Sequence, residues 1–95
     1  MRFFGWVGPR RVYYHDDFDQ DLTTAGAEFH RLQQVWGGLR LRLAHDPAGG
    51  KNLGRADGTW IASVPAYPAS QVPGLVVLYR FSDIELHCIR LRPIR

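Results

Sequence analysis

Residues 76–95 read VVLYRFSDIELHCIRLRPIR. Together with Leu75, the first part forms LVVLYRF, apolar at nearly every position, as in a central strand covered on both faces. Ser82-Asp83 make a tight turn, and Ile84–Leu91 return as a second strand. The residues from Arg92 onward are a tail broken by Pro93. A short turn between two strands fixes antiparallel pairing, so the chain closes on a hairpin. That last strand becomes basic at Arg90, Arg92 and Arg95. Either these are solvated terminal charges, or they face an anion.

Upstream, TWIASV (59–64) is a further short strand, joined to the hairpin by the proline-rich PAYPASQVPG (65–74). Glycines and the Asp57-Gly58 turn make AGGKNLGRADG (48–58) a loop. The strongest helical pattern is AEFHRLQQVWGGLRLRLAHDP (27–47). Phe29, Leu32, Trp36, Leu39 and Leu43 form its apolar stripe, and Pro47 ends it. Gly37-Gly38 inside it predict a close approach or a kink. Residues 15–26 (HDDFDQDLTTAG) read as a shorter helix burying Phe18, Leu22 and Ala25, capped by Asp16 or Asp17 and stopped by Gly26. RRVYYH (10–15) is a β-branched and aromatic first strand. Residues 1–10 are an N-terminal arm or an extension of that strand.

The predicted order is β-α-α-β-β-β. This is an α+β fold, a small, mainly antiparallel sheet with both helices on one face. The 95 residues bound it to one domain spanning 1–95. A single cysteine, Cys88, excludes an internal disulfide and a cysteine-based zinc site. His15, His30, His45 and His87 show no short metal-ligand spacing, so neither a metal nor another cofactor is expected. No apolar run reaches membrane-span length, and the apolar part of MRFFGWVGPRR is too short for a signal peptide. The expectation is a soluble, cytoplasmic protein. Residues 1–30 carry three basic and five acidic side chains, net −2, and residues 31–95 carry nine and four, net +5. A basic surface in one part of the chain suits nucleic acid or an acidic protein.

From Val12 to Arg95 the sequence resembles the RelE/ParE toxins of bacterial type II toxin–antitoxin pairs. VYYHDDFDQDL is similar to the family's opening strand and first helix. LRLRLAHDPAGGKNLGRADGTWIASV is similar to the end of its second helix, the glycine-bearing loop and the next strand. VVLYRFSDIELHCIRLRPIR is similar to its closing hairpin with a basic end. The resemblance implies a cognate antitoxin as partner and one of two targets: mRNA on the ribosome, which many members cleave, or DNA gyrase, which ParE-like members inhibit without nuclease residues. A third reading is a basic binding domain of the same fold. The chain departs from the nuclease pattern at Leu75-Val76, where an arginine is usual, and at Ile61–Val64, where basic residues are frequent.

Cleaving RNA through the ribose 2′-hydroxyl needs a base for its proton, an acid for the leaving 5′-oxygen and cations for the phosphate. His87 is the candidate acid or base, with Glu85 on the same strand face. Arg90 and Arg92 are candidates for phosphate stabilisation. Strand parity groups both with Ile84, Leu86 and Cys88. Either the strand bulges near Cys88-Ile89, or the arginines emerge at the edge of the core face. The resemblance adds Lys51 and Arg55 as phosphate-contacting cations, with Gly49, Gly50 and Gly54 letting the backbone approach a ligand. Arg80 either reaches a base or phosphate or pairs with Glu85 across the hairpin.

Overall fold

The computed structural model describes residues 1–66 and 72–94. Ser70, Arg95 and the middle of the proline-rich connection lie outside these residues. The chain opens with a hairpin. Strand β1 (Arg2–Val7) runs antiparallel to β2 (Arg10–Tyr14). Gly8 between them has φ 62°, and the proline after it has φ fixed near about −65°, a combination suited to a two-residue hairpin turn. Residues 1–10 are therefore neither an arm nor an extension of the first strand; they add a strand at the sheet edge.

Helix α1 (Asp16–Glu28) follows β2 directly. Its N-cap is His15, with no side-chain capping bond, so neither Asp16 nor Asp17 caps it. Asp16 instead meets the N-terminal amine at 2.8 Å, and Asp19 takes the Arg2 guanidinium at 2.6 Å. Acidic residues here also favour the positive end of the helix dipole. The helix passes Gly26, because one helical glycine costs only about 1 kcal/mol against alanine. The periodic segment divides after that: α2 spans Leu32–His45, and Phe29 packs against the core from the junction. Nothing approaches Gly38, and Gly37 meets only the tip of Arg40. The glycine pair thus serves no close contact, and the helix runs through it unbroken.

A 3₁₀ turn at Pro47–Gly49 leads into β3 (Lys51–Asn52), followed by β4 (Trp60–Val64), β5 (Gly74–Phe81) and β6 (Glu85–Ile94). The six strands lie in the order β1-β2-β6-β5-β4-β3. Only β2 and β6 pair in parallel; all other neighbours are antiparallel. The α+β class holds, with β1 and β3 added to the four strands expected. No helix among the described residues is long and apolar enough to cross a membrane.

The β5–β6 register explains the parity conflict. Leu78 pairs with Arg90 and Tyr79 with Cys88, leaving Ile89 as an extra residue. This bulge shifts the phase of the strand, so Leu86, Cys88 and Leu91 are all buried in the core. The strand also continues through Pro93, which pairs with Leu75. Leu91 directs its N–H to Asp21, away from β5. Two residues on, the nitrogen of Pro93 has the same orientation, on an edge that β2 has already left, where no ladder donor is needed.

Both helices bury their stripes against the inward residues Val12, Tyr14, Leu75, Val77, Tyr79 and Leu86 in one cluster. Trp36 is at its centre, its ring 4.9 Å from Phe18. Its Nε1–H donates to Tyr14 Oη at 2.8 Å, and Arg40 donates to the same oxygen at 2.8 Å. Trp36→Ala removes both packing and a buried donor. It should destabilise the fold by about 3–5 kcal/mol, and a melting temperature within a few degrees of wild type would contradict this core.

Candidate functional site

The face of the sheet away from the helices carries a contact that the two chain halves make only on folding. His15, at the junction of β2 and α1, places Nε2 3.1 Å from His87 Nδ1 on β6, 72 residues later. On the far side, His87 Nε2 lies 3.3 Å from Glu85 Oε1. An ionised carboxylate only accepts, so neutral His87 donates from Nε2 to Glu85 and accepts at Nδ1 from His15. His15 Nδ1 then carries the free lone pair.

The backbone fixes this arrangement. Parallel pairing sets Tyr13 opposite His87 and Tyr14 opposite Cys88, and the N–H of His15 donates to Cys88 O at 3.0 Å. Tyr13 stacks on the His87 ring with centroids 5.0 Å apart and planes 18° from parallel. Because the His15 side chain makes no capping bond, its ring turns to His87. Burial, the neighbouring His87 and the Arg80 guanidinium all hold His15 below the ordinary histidine value, with Asp16 opposing.

Arg80 is directly opposite His87 in the β5–β6 register. It does not pair with Glu85. The hairpin turn is longer than Ser-Asp, with Ser82 N–H donating to Glu85 O, so Glu85 falls opposite Ser82 and Ile84 sits exposed in the turn. Besides His87, Glu85 has Arg11 3.8 Å away. Arg80 instead has Asp57 at 3.9 Å, and Arg55 approaches the same carboxylate at 3.4 Å. Asp57 is itself held by the Thr59 hydroxyl at 2.7 Å. Arg55 and Arg80 thus share one anchor.

The remaining predicted residues lie elsewhere. Lys51 belongs to β3, not to a loop, and lines a groove of about 580 Å³ with Arg42, Asp46 and Ser63. The absence of a side chain at Gly50 reflects packing within the fold, since a Cβ there would strike Tyr79 Oη and Ile61 O. Arg90 and Arg92 line a second groove, of about 400 Å³, between α1 and the edge of β6. Arg90 is committed to α1: its Nε donates to Asp21 Oδ2 at 2.8 Å, and Asp17 lies at 3.8 Å. His87 and Arg80 therefore come together, with Arg55 nearby, while Lys51 and the Arg90–Arg92 pair stand apart. His15 was missed by sequence reasoning. Its only signal was its place at the end of a strand that pairs with the strand of His87.

Among the described residues, no group of three or more His, Cys, Asp or Glu side chains could hold a metal ion. What the arrangement offers is acid–base chemistry beside a cation. The sequence matches no protein-family model, and no curated protein is significantly similar to it.

Two outcomes test this geometry. Followed by NMR, His15 should titrate below the ordinary histidine value, and it should move upward in His87→Gln, which removes the neighbouring imidazole that helps to hold it down. A His15 midpoint at or above 6.5, the unshifted value, contradicts the contact. For Asp21, burial raises the carboxyl pKa, but Arg90 and the Leu91 N–H outweigh it, leaving a net lowering. Its contribution to stability is thus present above the unfolded carboxylate pKa and lost as pH falls through the lower folded value. Asp21→Ala should lower the neutral-pH melting temperature by about 5 °C or more and flatten the acid limb of the stability curve. An unchanged acid limb contradicts the pairing.

Proposed function

We propose that this chain is a RelE/ParE-type toxin acting as an endoribonuclease on mRNA at the ribosome, restrained by a cognate antitoxin. The observation that carries the reading is the His15–His87 contact, backed by Glu85 and faced by Arg80. With the two-residue β3 set aside, the chain from β2 to β6 follows the β-α-α-β-β-β order of the resemblance, which supports it.

In this reaction His15, kept neutral, takes the proton of the ribose 2′-hydroxyl. The 2′-oxygen bonds to phosphorus as the bond from phosphorus to the 5′-oxygen breaks. The histidine pair holds the proton, with Glu85 stabilising the positive charge, and returns it to the departing 5′-oxygen. Arg80 offers its guanidinium to the charge that grows on the phosphate, and a cation fixed on a sheet needs little reorganisation to do so. The open setting of the pair fits a substrate presented by a larger surface, such as mRNA on the ribosome. Lys51 and Arg92 are removed from this chemistry and supply general attraction for a polyanion.

His87→Gln and His15→Gln should each reduce ribosome-dependent mRNA cleavage about 10²–10⁴-fold. Arg80→Ala should reduce it about 10²–10³-fold. All three should leave folding intact and relieve growth arrest. A wild-type protein that cleaves no mRNA, triggers a DNA-damage response and is indifferent to His87→Gln would contradict the reading in favour of gyrase inhibition.

A further inference from the structure

We infer that β1 is a stacking platform for unpaired RNA bases, with Trp6 and Phe3 positioned beside the histidine pair. This rests on the RNA-cleaving reading of that pair and identifies its substrate as single-stranded.

The register aligns two rows across the open face. Phe3 pairs with Tyr13, Tyr13 with His87 and His87 with Arg80. Trp6 pairs with Arg11, and Arg11 with Glu85. Neighbouring strands are about 4.8 Å apart, so Phe3 stands about 10 Å from His87 along its row, two strand spacings away. Aromatic rings and guanidinium groups share these rows, the combination that holds single strands through base stacking and phosphate attraction.

A bulge in β1 creates the platform. Phe3 pairs with Tyr13 but Gly5 with Val12, so Phe4 is the extra residue. Gly5 has φ 148°, a backbone state that residues with a side chain rarely adopt. The phase change sends Phe4 to the helix side, stacked on Tyr14 with Arg40 3.9 Å over its ring. It sends Phe3 and Trp6 together to the open face. In an unbulged strand residues 3 and 6 would face opposite ways.

These rings do not complete the core. Trp6 is 63% exposed and Phe3 50%. Phe3 leans on Tyr13 with centroids 5.3 Å apart, and the Arg11 guanidinium sits 5.5 Å from the Trp6 ring centroid. Each ring keeps exposed surface for a base. Glu85 is the one acid in the rows, and Arg11 and His87 both engage it.

The probe is a short unstructured RNA with 2′-O-methyl sugars, which lacks the nucleophile and cannot be cleaved. Trp36 is buried and Trp60 packs against Phe81, so Trp6 is the indole open to a base. Binding should quench tryptophan fluorescence. Trp6→Ala should weaken binding roughly 5- to 150-fold, the range for losing one base stack, while Trp6→Tyr keeps most of it. Phe3→Ala gives an independent second loss. The same RNA as a duplex, its bases occupied, should bind more weakly than the single strand. Unchanged affinity in Trp6→Ala, or equal binding of duplex and single strand, overturns the platform. Binding through Trp6 without cleavage on ribosomes overturns the catalytic reading and leaves the platform standing. Cleavage with Trp6→Ala unaltered does the reverse.

Discussion

Strand β2 lies in parallel on β6, with Tyr13 opposite His87 and the N–H of His15 bonded to Cys88 O at 3.0 Å. That pairing joins the start of the chain to its end. The chain between them must cross over, and α1 and α2 do so while covering one face. Arg10 secures the junction from the side, donating to Ala44 O at the end of α2 and to Ser82 O at the β5–β6 turn, both at 2.8 Å. The opposite face is left open, and the same register places His15 against His87. A slip of either strand by one residue would send its ring to the other side of the sheet and part the two.

The cations divide by what holds them. Arg90 bridges to α1 through Asp21 and Asp17, and Arg2 is held by Asp19. These arginines fasten α1 to β6 and β1, so the acidic start of the chain is used within the fold. Arg80, shared weakly with Arg55 around Asp57 at 3.9 Å, keeps its charge near the histidines. The opening puzzle of a basic strand end thus has two answers. Arg90 lies in the second half of β6 because a helix carboxylate meets it there, and Arg92 remains exposed on the groove.

Local pattern made much of this legible. The β-branched and aromatic composition of 10–15, the helical stripe through Trp36 and the closing hairpin each depend on neighbours in sequence. The bulge at Ile89 was one of two solutions that strand parity allowed. What could not be read were contacts that depend on register between distant segments. Nothing near Asp21 in sequence points to Arg90, and nothing near His15 points to His87. The hairpin of residues 1–14 is different. Gly8-Pro9, flanked by aromatic and apolar runs, is a turn signal, but it lay outside the stretch resembling the toxins. Lys51 reads as a loop residue because its strand is only two residues long, too short for any periodicity.

The proposed reaction is cleavage of RNA on this face by attack of the ribose 2′-oxygen under histidine control. The most direct measurement is the chemistry of the cut ends, read by mass spectrometry on mRNA fragments from purified ribosomes. Attack by the ribose oxygen should leave a 2′,3′-cyclic phosphate, or its hydrolysed phosphate, on one fragment and a free 5′-hydroxyl on the other. Fragments ending in a 3′-hydroxyl and a 5′-phosphate would require a water nucleophile in place of the ribose oxygen, and would contradict it.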